Sequence, residues 1–272
     1  MSLTPLAPLP ADLRPPAQTW AVVLRAEVRR LLRQGGLVPA LVASLLGGLV
    51  FGLGALPFAT RVGAPVALGV AAAALVLAVG AALHAGAHTS RGAGPTTLAL
   101  TPDRSRSYAA RLTAVASVAG VHTGAVALLV GTVAAAAADT AAGPAAAGQV
   151  ALGVLCGAVA GAMLCTLAAM VGIAVDHPVG AALALLGWWA VVPITASAVA
   201  GYLPRPVAWL AEALVALSPP LLAHDVAGAG ATPGRAVAAL AGMALWAVPL
   251  GALALWLHGR RSLTRRRTSQ AW

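Results

Sequence analysis

No lysine occurs anywhere in this chain of 272 residues; all 17 basic side chains are arginine. The absence excludes a Walker A loop, whose lysine holds nucleotide phosphates, and it excludes a lysine Schiff base or nucleophile. Charge of either sign is scarce, at 9% of residues against 60% hydrophobic residues and a mean hydropathy of +0.89. No ordinary soluble domain has that balance. Cysteine is scarce too. Cys156 and Cys165 fall on one predicted helix, on roughly opposite faces and about 13.5 Å apart along its axis, so they do not bridge each other. Neither HExxH nor GxSxG is present, and no carboxylates pair at helical spacing, so the chain carries no hydrolase motif.

What the chain has in abundance is long apolar runs. Six of them, at roughly 37–57, 64–84, 112–138, 147–175, 179–201 and 234–257, each hold about 20 apolar residues, enough to cross a bilayer as a helix. Barrel strands need about ten residues of alternating polarity, and these runs do not alternate. The 30 glycines and the alanine tracts suit helices that approach closely in lipid. Gly153, Gly157 and Gly161 stand at four-residue spacing, which marks a helix-packing face, as do Gly48 and Gly52. The expected fold is an all-α integral membrane protein with six transmembrane helices, 37–257, preceded by an interfacial amphipathic helix.

That helix lies within 17–36, after a proline-rich leader at 1–16 read as a disordered cytoplasmic segment. Trp20, Val23, Leu24, Val28 and Leu31 recur at helical spacing, and Arg25, Arg29 and Arg33 form a separate line. Each arginine near anionic lipid contributes about 1 kcal/mol, so the helix is expected to lie flat on a leaflet. With the N-terminus placed in the cytoplasm, 13 arginines near span ends fall inside and three outside, Arg61, Arg205 and Arg235. Both termini are therefore expected in the cytoplasm of a cell with this chain in its plasma membrane, including the basic tail 258–272. The outer loop 202–233 contains an apolar stretch, 206–217, too short to span, which is expected to be re-entrant or interfacial.

The segment 86–111, GAHTSRGAGPTTLALTPDRSRSYAAR, stands out as a long polar insertion between two apolar runs. Arg91, Arg104, Arg106 and Arg111 charge it. Thr101, Pro102 and Asp103 have the order of a helix start: a capping hydroxyl, proline at the first position, a carboxylate in the first turn. A helix is expected to begin there and run unbroken into the third span. The histidines make no metal site: His84 and His88 share a face, but no cysteine or carboxylate nearby completes four ligands. His122, inside the third span, is expected to hydrogen-bond to a neighbouring helix. Asp139, Asp176 and Arg235 fall at span boundaries, so the ionisable path of an ion-coupled transporter is missing.

The order of arginine-rich amphipathic helix, two spans, a loop reading TTLALTPDRSRSYAARL, three spans, an outer helical segment and a sixth span resembles the permease subunits of ABC transporters, of the ABC-2 type exporter family. The resemblance covers roughly residues 17–260. It rests on Thr97-Leu98, on Leu100-Thr101-Pro102, and on a basic residue, Arg111, entering the third span, where the family often has lysine. It implies a non-enzymatic permease that forms the translocation pathway with a second copy or a related permease. It also implies coupling to a separate ATP-binding subunit through Glu27, Arg30, Thr97, Leu98, Leu100, Thr101, Pro102, Asp103, Arg104 and Arg106. No cofactor is expected, and no nucleic acid partner, because the arginines lie beside membrane spans, where topology and anionic lipid account for them. The alternative is a membrane scaffold or regulatory subunit that uses the same arginines for lipid and partner attachment; an ion-coupled transporter or a membrane enzyme fits less well.

Overall fold

The computed structural model describes residues 19–33, 37–58, 62–90, 104–137, 143–228 and 233–269. Among these, all regular structure is helical: α1 (Trp20–Arg33), α2 (Leu37–Gly54) with a short 3-10 turn after it (Leu56–Phe58), α3 (Gly63–Ser90), α4 (Arg104–Ala137), α5 (Gly143–Val175), α6 (Pro178–Leu186), a π-helical turn (Gly187–Val191), α7 (Val192–Ala200), α8 (Arg205–Ala216), α9 (Pro219–Ala227) and α10 (Pro233–Ser269). Six segments are long and apolar enough to cross a membrane: Leu37–Phe58, Gly63–Ala87, Ser105–Ala137, Ala147–Val175, Pro178–Ala200 and Gly234–His258, or up to seven if α8 and α9 count as one broken span. This is the fold of a multi-pass membrane protein. α4 runs without interruption from the basic segment into the third span, and α10 continues through the basic tail as far as Ser269.

α3 is the centre of the bundle. It packs against α2, α4, α5, α6 and α9, and 61% of its span is buried, against 22% for α2. Small residues make the approach possible. On α2, Ser44, Gly48 and Gly52 recur every four residues and are buried. A Cβ on Gly69 of α3 would meet the Gly48 carbonyl oxygen at 2.8 Å, and one on Gly172 of α5 would meet the Ala82 carbonyl oxygen of α3 at 2.5 Å. Backbones that close admit only glycine.

The second half of the bundle is looser. The turn between α5 and α6 places Asp176 at φ 58°, a left-handed conformation that a short polar side chain tolerates. His177 then caps α6, its Nδ1 accepting from the Gly180 N–H at 3.1 Å, and Pro178 takes the first helical position, where no donor is missed. Further along the same span, Pro193 lacks an N–H and in a regular α-helix would crowd the carbonyl of Trp189, four residues earlier. The helix accommodates that proline with the wide turn Gly187–Val191, in which the Val192 N–H reaches back to the Gly187 carbonyl. Beyond it, α7 has no buried residue.

α8 and α9 meet at a 55° break. The sequence Ser218-Pro219-Pro220 reads as a stop, yet the prolines also open α9, because proline fits the first turn of a helix as well as it ends the previous one. Two prolines remove two N–H donors just past the end of α8, and the Leu217 carbonyl accepts instead from Trp246 Nε1 of α10 at 2.8 Å. Trp246 lies about 20 Å along α10 from Pro233 at 1.5 Å per residue, so the break lies against the middle of the sixth span. α9 buries Leu222, Ala223, Val226 and Ala227 against α3, α5 and α10.

Candidate functional site

The helices α1, α3, α4 and α10 converge at one end of the bundle, where Arg30 and Arg111 come together. α1 buries Val23, Glu27 and Leu31, one face at four-residue spacing, and packs that face on α4. Its exposed side carries Arg25, Arg29 and Arg33. A carboxylate in the middle of a buried apolar stripe needs a cation, and Arg30 Nη1 donates to Glu27 Oε1 at 3.4 Å. The second cation is Arg111 on α4, only 7% exposed and within electrostatic reach of both Glu27 and Arg30. His84 of α3 is also within reach of Arg111 and Arg30. Beside His84 lies a narrow, mostly apolar cleft between Leu31, Leu37, Leu77, Val115 and Cys165, with room for barely one water.

α10 joins the same end. The Tyr108 hydroxyl of α4 donates to the Gly251 carbonyl at 3.4 Å, and the Tyr108 ring lies 6.3 Å from that of His258. The Arg260 guanidinium sits 4.1 Å from the Trp256 ring centroid, a cation–π contact one turn along α10. The junction therefore ties an amphipathic helix to the first turns of the third span and to the last turns of the sixth. Among the described residues it sets one carboxylate, Glu27, amid an excess of positive charge.

Of the residues singled out from sequence, Glu27 and Arg30 meet here. Arg106 is half-buried in the first turn of α4, and Arg104 opens that helix. Thr97, Leu98, Leu100, Thr101, Pro102 and Asp103 lie outside the described residues. Gly153, Gly157 and Gly161 face Val66, Val70 with Ala127, and Thr123 respectively, all within this chain. Sequence reasoning does not assign Arg111, His84 and Tyr108 to one site. The available signal is Glu27 itself, a carboxylate in register with Val23 and Leu31, which demands a buried cation from another helix.

Two further polar contacts lie within the spans. Ser44 Oγ of α2 is 2.6 Å from His122 Nε2 of α4 and 2.9 Å from the Leu41 carbonyl. The hydroxyl has one proton, so when it goes to Leu41 the imidazole donates. Thr123 Oγ1 shares its proton between the Ala119 and Gly157 carbonyls, at 2.8 and 2.9 Å, linking α4 to α5.

No family model, curated protein or solved structure matches the chain.

Proposed function

We propose that the chain is the membrane-spanning permease subunit of an ABC-type exporter, working with a second permease and driven by a separate ATP-binding subunit. The observation that carries this reading is the buried Glu27, Arg30 and Arg111 junction, which links an arginine-faced helix to the span emerging from the basic loop. In this reading the ATPase docks on loop 86–111 and α1. Its movement passes through Glu27 and Arg111 to α4, and through Tyr108 to α10, tilting spans against one another. α1 lies in the interface with Arg25, Arg29 and Arg33 toward anionic headgroups, both termini are cytoplasmic in the plasma membrane, and the α8–α9 pair is re-entrant.

The test is co-purification of the tagged full chain with its ATPase, identified by mass spectrometry, followed by the double variant Arg104→Glu, Arg106→Glu. Charge reversal is expected to lower ATPase stimulation by the permease while leaving membrane insertion intact. Unchanged stimulation, or solute movement by the chain reconstituted alone, overturns the reading.

A further inference from the structure

The middle of the fifth and sixth spans holds three tryptophans far from the membrane interfaces where that residue usually sits. Trp188 and Trp246 meet edge to face at 4.6 Å between centroids, and Trp189 lies 6.1 Å from Trp188. Trp246 uses its N–H on the Leu217 carbonyl. Trp189 is 7% exposed, and its Nε1 has no acceptor among the described residues. A buried donor left unpaired is costly, and this one sits in the π-helical turn, where the helix ladder is already interrupted ahead of Pro193.

We propose that this turn is a binding site for a neutral, apolar ligand carrying one hydrogen-bond acceptor, which enters beside the half-buried Trp188 and accepts from Trp189 Nε1. The chemistry of the walls sets the class. No charged residue occurs in α6, the π-turn or α7, and α10 meets this turn through the Trp246 ring, so nothing shown there neutralises an ion. Aromatic faces favour a flat or acyl body, and the one free donor favours a carbonyl or ester oxygen. Entry requires the turn to open, because Trp189 Nε1 is sealed in this structure. The proposal is independent of the ATPase, since binding is read on the chain alone.

Benzophenone and diphenylmethane, which differ by one carbonyl acceptor, test it. The full chain in vesicles is photolabelled with benzophenone and the adducts are mapped by mass spectrometry. Adducts are expected at 186–192 and 243–250, with diphenylmethane about tenfold weaker as a competitor, and Trp189→Phe is expected to reduce those adducts about tenfold. Adducts spread evenly over lipid-facing residues such as Val50 and Val121, equal competition by the hydrocarbon, or unchanged labelling in Trp189→Phe each overturn the site. The hydrocarbon comparison needs no variant, so it holds even if Trp189→Phe fails to fold. Repeating the labelling with ester-linked and ether-linked phospholipid distinguishes sources: protection by the ester lipid alone identifies a lipid acyl ester, and equal labelling in both identifies a free small molecule.

Discussion

At the scale of single residues, Glu27 is the strongest constraint. Its carboxylate lies in an apolar stripe, so its removal leaves Arg111 buried with Arg30 as a like-charged neighbour. Breaking one partner of a buried pair costs about 3–5 kcal/mol, whereas replacing both by apolar groups of similar size costs much less. Glu27→Ala is therefore expected to lower the melting temperature sharply, and Glu27→Leu with Arg111→Leu to recover part of the loss. A double variant no better than the single would show that the two do not interact. Gly161 gives a second case. A Cβ there runs into the Thr123 side chain, so Gly161→Val is expected to separate α5 from α4 and break the bond from Thr123 to Gly157, read as lost thermal stability. Thr123→Ala in the same chain should restore part of it, because it removes the obstructing atoms.

At the scale of elements, helices are legible in the sequence where hydropathy alone decides, and their interruptions are not. Six apolar runs of about 20 residues have one solution in lipid, which is why the spans read directly. Ser218-Pro219-Pro220 is legible as the end of α8 but not as the start of α9, since proline at the first helical position serves both. The π-turn is illegible because its cause, Pro193, has no unique answer: a helix meets proline with a kink, a break or a wide turn. The junction is half legible, with Glu27 and Arg30 named and their partner Arg111 brought in by α4 packing. Two outcomes follow. Trp246→Phe leaves the Leu217 carbonyl without its donor, so about 1–3 kcal/mol is lost and hydrogen exchange rises at 213–222. Deleting Ala190 converts the wide turn to a regular one and keeps both flanks in register, so the fold is expected to survive. Deleting Ala184 instead rotates Ala181 by about one residue's turn relative to Leu185 and the residues after it, so the two no longer share a buried face, and is expected to destabilise the core. Equal damage from both deletions would mean the wide turn is not an inserted residue.

At the scale of the whole molecule, the question is which ends lie together. α1 and the last turns of α10 both pack at the start of α4, so the N-terminal helix and the C-terminal helix share an end of the bundle. The other end holds the start of α3, where Ala67 lies beside Gly228 at the close of α9. If each of the six apolar helices crosses once, the termini face one side and Tyr202, 90% exposed, faces the other. In a chain carrying Cys156→Ala and Cys165→Ala, cysteine introduced at Ser2 or Ser269 should react with an impermeant maleimide from one side, and cysteine at Tyr202 from the opposite side. In the proposed reading the terminal side is the cytoplasm, as the arginine excess near those span ends favours. Labelling of Ser2 and Ser269 from opposite sides would contradict the packing of both α1 and the last turns of α10 on the start of α4, and would overturn the docking reading with it.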